Sequence, residues 1–150
     1  MSLDVYLIIP GYGYKEETHI HIRENGRTKT ISQEEWELRN PGCEPVICIS
    51  NETDTVYQAN ITHNLGKYAE KADLYMPLWR PEEISITNAR QLLVPLASGL
   101  TQLLDPDFPI KHRDLLPSNG WGTHKGLVEF VKEYLSACIK YTDAEVKVWR

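Results

Sequence analysis

Near residue 59 the spacing of apolar residues changes from alternate positions to every third or fourth, which commits the chain to strands first and helices after. Asp4 to Ile9 (DVYLII) is β-branched and aromatic and is stopped by Pro10-Gly11, as a short strand feeding a turn would be. Thr18–Arg23 and Thr28–Ile31 alternate about Asn25-Gly26, the pair that a two-residue hairpin turn needs where both φ angles are positive. That register sets Ile20 opposite Ile31 and His21 opposite Thr30. Ser32-Gln-Glu-Glu35 reads as a capping box opening a short helix to about Arg39, with Trp36 and Leu38 facing inward. Pro45 to Ile49 is a further strand, and Asp54 to Tyr57 is either another strand or the lead into a helix.

From about Asn60 the pattern is helical, with Ile61, Leu65, Tyr68, Ala69 and Ala72 on one side and Pro77 as the latest end. A turn starts at Pro81-Glu82-Glu83. Thr87 then caps a longer helix carrying Leu92, Leu93, Leu96, Leu100 and Leu103, kinked at Pro95. Residues 105–122 hold Pro106, Pro109, Pro117 and Gly120 and read as a long ordered loop. Thr123 caps a last helix with Leu127, Val128, Val131, Leu135 and Cys138 inward, and Glu145–Val148 alternates like a terminal edge strand. The predicted fold class is α+β: an N-terminal antiparallel sheet with its hairpin, then a bundle of about three helices. A length of 150 residues suits a single domain, β-rich over about 1–58 and mainly helical over about 59–150.

A net charge of −5 argues against a nucleic-acid polymer as partner, because such binding neutralises phosphates with a basic surface. No apolar run is long enough to span a bilayer, and the N-terminus lacks the basic and small-residue features of a signal peptide, so a cytoplasmic protein is expected. Cys43, Cys48 and Cys138 are an odd set without Cys-x-x-Cys spacing and read as packing residues. The sequons at Asn51 and Asn60 are chance matches on that reading.

Tyr57-x-Ala-Asn-Ile-Thr-His-Asn-Leu-Gly66, Leu78-Trp-Arg-Pro-Glu-Glu83, Asn119-Gly-Trp-Gly122 and Asp143-Ala-Glu-Val146, with the opening Met1–Tyr6 and Arg23–Gly26, resemble a family of uncharacterised small proteins of bacteria, phages and prophages. The resemblance covers most of the chain and implies a compact intracellular protein associated with mobile elements. It brings no activity and no functional residue with it.

Three segments carry candidate site residues. In a helix starting near residue 60, Asn60, Asn64, Lys67 and Lys71 share one arc with His63 beside it, a polar ridge suited to an anionic or amide-rich ligand. An N-cap asparagine on an ordinary solvated face explains the same residues. Trp79-Arg80 sets a flat aromatic beside a fork of donors, fit for a base next to a phosphate, or else a core tryptophan beside a surface ion pair. Trp121, between two glycines, either stacks on a ligand or folds over the core. His19 and His21 share a strand face, but two histidines beside Arg23 and Lys29 make a poor metal site, and no metal or cofactor is expected.

No nucleophile elbow, His-Glu-x-x-His, P-loop or Gly-x-Gly-x-x-Gly motif is present. The reading is therefore a non-enzymatic protein that binds a small anionic, nucleotide-type ligand through Asn60, His63, Asn64, Lys67, Trp79, Arg80 and Trp121, and sequesters a signalling molecule as a phage anti-defence protein would. One alternative is a hydrolase or phosphoesterase with His63 as acid/base, His124 with Glu16 or Glu17 being a second acid/base pair. The other is a structural or interaction module without a pocket. Edge strands leave homo-oligomers open.

Overall fold

Alternation in β1 (Ser2–Ile8) sends Leu3, Val5 and Leu7, all fully buried, to one face, and that face is the floor of the core. The computed structural model describes residues 1–12, 17–50 and 54–150; Gly13, Tyr14, Glu16 and Asn51 lie outside them. The strands β2 (Glu17–Glu24), β3 (Arg27–Ile31), β4 (Ile47–Ser50), β5 (Thr55–Thr62) and β6 (Glu145–Trp149) join β1 in one antiparallel sheet of order β4-β2-β3-β5-β1-β6. The expected α+β architecture holds, terminal edge strand included.

The hairpin register is the one the sequence dictates, Ile20 opposite Ile31 and His21 opposite Thr30. Asn25 (φ 54°) and Gly26 (φ 77°) both take the left-handed conformation that such a turn requires. The tip is then clamped by its surroundings. Thr62 donates its backbone N–H to the Gly26 carbonyl at 2.7 Å. A Cβ on Gly26 would stand 2.8 Å from Thr62 Cγ2 and 3.0 Å from Gly122 Cα.

Two long helices cover the inner face: α4 (Ala89–Leu103) and α6 (His124–Lys140), which pack on each other, α6 also lying against β5. Asn88, rather than Thr87, caps α4, through a reciprocal capping box with Gln91; Thr123 caps α6 by accepting from Gly126 N at 3.0 Å. Short helices fill in around them: α1 (Gln33–Arg39), α2 (Gly66–Glu70), α3 (Tyr75–Trp79) and α5 (Phe108–Lys111). The expected bundle is thus one long pair with shorter companions. The segment expected to be a loop after residue 105 contains α5 and a 3-10 turn at Arg113–Leu115.

Three further local expectations are corrected. The helix expected from Asn60 begins later, because Asn60 and Ile61 pair with Asp4 and Leu3 as part of β5; a 3-10 turn at His63–Leu65 leads into α2. Pro77 does not end a helix but sits in the first turn of α3, where its missing N–H costs no helical bond; the preceding break falls at Asp73 (φ 57°). Leu38 is 83% exposed and Trp36 only half-buried, since α1 buries no residue and Trp36 instead donates its indole N–H to the Cys43 carbonyl at 2.9 Å.

Arg27 departs from the apolar pattern. Its register with Ile61 turns it to the inner face, where it is 2% exposed, lies 5.7 Å from the Phe130 ring centre and pairs with Glu133, with Glu129 at 3.7 Å. Lys29, the next inner-face residue of β3, reaches Glu129 at 3.1 Å. One strand thus offers two cations to two carboxylates one turn apart on α6.

Candidate functional site

The residues of the expected polar ridge are distributed over three environments. Asn60 points to the sheet face opposite the helices, where its amide oxygen accepts from Arg23 and its amide nitrogen donates to Asp4. Asn64 and Lys67 are exposed on the turn and on α2. His63 turns toward Trp79, whose indole N–H donates to His63 Nδ1 at 3.2 Å, so the neutral ring carries its proton on Nε2. Trp79 is fully buried and stacked on Tyr75 at 5.6 Å between ring centres. Arg80 is exposed and bonded to Glu83 at 2.6 Å. For Trp79-Arg80 the geometry is that of a core aromatic beside a surface ion pair.

Trp121 is different, with 59% of its surface exposed. Asn119 Oδ1 accepts its backbone N–H at 3.0 Å, Gly120 turns with φ 73°, and Gly122 lies so close to Thr62 and Leu65 that a Cβ there would stand 2.9 Å from both side chains. Gly122, one of the two glycines that flank the indole, is therefore used to seat the loop on β5. The indole is left at the edge of an open cleft of about 340 Å³ between this loop and the hairpin tip. Its walls are Arg23, Glu24, Asn25, Gly26, Asn119, Gly120 and Trp121.

Sequence reasoning missed the contribution of the hairpin. Arg23 is exposed, and its Nη1 donates to Thr28 Oγ1 at 2.9 Å and to the Asn60 amide, which fixes the guanidinium while leaving further N–H donors uncommitted in those bonds. Asn60 thus reaches the cleft indirectly, as the residue that holds Arg23. Glu24 brings the opposite charge, offset by Lys29 at 3.5 Å and Arg39 at 3.7 Å. The cleft joins a π face, a positioned cation, two amide side chains and a partly neutralised carboxylate. His63, Asn64, Lys67, Trp79 and Arg80 do not line it. An Asn-Gly turn signals a hairpin so strongly that its flanking arginine is easily read as a strand end.

A second polar cluster lies at the start of α6. His124 Nδ1 is 2.7 Å from the hydroxyl of buried Tyr68, and Phe108 packs edge-on to Tyr68 at 5.2 Å between ring centres. Burial lowers the His124 pKa and raises that of Tyr68 to about 12, so near neutral pH a phenol O–H donates to a neutral imidazole. Glu16, one of the expected carboxylate partners of His124, lies outside the described residues. Among the described residues no group of three or more His, Cys, Asp or Glu side chains is arranged to hold a metal ion, and no helix is long and apolar enough to cross a membrane.

Comparisons with protein-family models, with curated protein sequences and with solved structures returned no match.

Proposed function

We propose that the chain binds a small anionic ligand carrying a planar ring, of the nucleotide type, in the cleft between the hairpin tip and the Asn119–Trp121 loop. The observation that carries the reading is the exposed Trp121 indole at one side of a cleft whose other wall holds Arg23, oriented by Asn60. Base stacking on an indole and a guanidinium facing a phosphate are complementary demands of one ligand. A volume of about 340 Å³ is at the lower end of small-molecule sites. In this reading Asn25 and Asn119 read the ligand's edges, Glu24 accepts from hydroxyls, and no bond is broken. Together with the resemblance to phage and prophage proteins, binding without turnover suits sequestration of a host nucleotide signal.

Burial of Trp79 and pairing of Arg80 favour a second reading, an interaction module whose aromatics are mostly structural. Thermal unfolding against a panel of linear and cyclic nucleotides, followed by mass analysis of the recovered ligand, separates them. Stabilisation with intact ligand is expected, weakened about tenfold in affinity by Trp121→Ala or Arg23→Ala. His63→Ala should leave it unchanged. A recovered ligand that has been altered makes the protein a phosphoesterase, and no shift with any member supports the module.

A further inference from the structure

The outward side of α4 is uncharged and small-featured in its middle and oppositely charged at its two ends. At about 100° per residue, Arg90, Val94, Ala97, Ser98 and Thr101 share one face; Asp105 follows just past the C-cap Leu104, with Oδ1 accepting the Asp107 N–H at 2.9 Å and its second carboxylate oxygen left for a partner. All are exposed, Val94 at 77%, and Leu104 on the flank is 52% exposed. The buried residues Ala89, Leu92, Leu96, Gly99 and Leu103 lie on the opposite side. Thr101 returns its hydroxyl to the Ala97 carbonyl at 2.9 Å and so asks nothing of water. A helical serine has the same option toward the carbonyl four residues back, so Ser98 can be covered without stranding its hydroxyl.

We propose that two copies of the chain associate through this face as an antiparallel α4–α4 pair about a two-fold axis. An axis between Ala97 and Ser98 sets Ala97 opposite Ser98 of the second copy, Val94 opposite Thr101, and Arg90 opposite Asp105. Each unlike pair then occurs twice. Charge selects this orientation, because a parallel pair would set Arg90 against Arg90 and Asp105 against Asp105. The small side chains of Ala97 and Ser98 at the centre let the helix axes approach to about 8 Å. Arg90 already meets Asp143 at 2.9 Å, but with the two side chains 68% and 87% exposed that pair holds Arg90 only loosely. The backbone N–H of Arg90 bonds the Thr142 carbonyl at 2.9 Å, which anchors the first turn of α4 beside the segment that follows α6. A single helix pair buries less than the roughly 1,200 Å² of a standard stable interface, so the dimer is weak and reversible.

Sedimentation velocity of the full chain over about 10 to 500 micromolar tests this. A concentration-dependent shift from the 17.3 kDa monomer toward twice that mass is expected. Ser98→Glu, which sets carboxylates next to the axis, should weaken dimerisation at least tenfold with unchanged circular dichroism; Val94→Lys does the same if Ser98→Glu perturbs the fold. Arg90→Glu should weaken it about threefold, and adding Asp105→Arg in the same chain should restore it. A monomer throughout the range, wild-type dimerisation in both Ser98→Glu and Val94→Lys, or no rescue by the charge swap would overturn the proposal.

Discussion

His124 begins α6 with its ring against Tyr68, and its burial opposes the charged form. The folded chain therefore binds fewer protons than the unfolded chain below the ordinary imidazole value of 6.5, and stability rises with pH through that window. The contribution is fully present above 6.5 and is lost as pH falls through the depressed folded value. Wild type should lose more thermal stability between about pH 7 and pH 5 than His124→Gln, which keeps a polar partner for Tyr68 without titrating. Parallel Tm–pH curves for the two proteins would refute this. At Gly126 a Cβ would stand 2.5 Å from the Asn25 carbonyl oxygen. Gly126→Ala should therefore cost about 1–3 kcal/mol in urea denaturation by pushing the hairpin tip off α6. Neither contact is visible in the sequence, since Tyr68 and His124 are 56 positions apart and a helical glycine carries no mark of its neighbour.

Between elements, the strand–helix clamp of Arg27 and Lys29 on Glu129 and Glu133 ties β3 to α6, and thereby holds the hairpin against the Asn119–Trp121 loop. Arg27→Met keeps the stem over Phe130 and should cost about 1–2 kcal/mol, whereas Arg27→Ala also opens a cavity and should cost about 3 kcal/mol or more, both read from chemical denaturation. Equal losses would show that packing of the stem is irrelevant. Elements with strong local chemistry were legible: the Asn25-Gly26 hairpin, the Thr123 cap and the terminal strand all stand where the residues dictate. The stretch Asn60–Thr62 was not, and Asp54–Tyr57 stood open between a strand and the lead into a helix. Ile61, Leu65 and Tyr68 fit a helical stripe, but Tyr57, Ala59 and Ile61 alternate equally well in a strand, and β1 supplies the partners Leu7, Val5 and Leu3 that decide it. Losing that helix dissolved the ridge of Asn60, Asn64 and Lys67, because the residues no longer share a period.

For the molecule as a whole, the sheet leaves one face to the helices and gathers its polar chemistry at the hairpin end, where chain segments near residues 25, 62 and 122 meet. Trp121 was legible as a candidate from its flanking glycines; Arg23 was not, since its role depends on Asn60 two strands away in sheet order. Occupancy of the cleft can be followed at individual indoles. The chain has four tryptophans, and Trp79 is buried with its N–H on His63, whereas Trp121 is exposed at the cleft. Titrating a nucleotide panel into nitrogen-15-labelled protein and following the four indole N–H signals by NMR, assigned by single Trp→Phe variants, reads the site directly. A saturable shift of the Trp121 signal, with Trp79 unmoved and the response lost in Arg23→Ala, is the expected result. A shift centred on Trp79, or no shift of Trp121 with any member, would contradict the assignment of the cleft as the binding site.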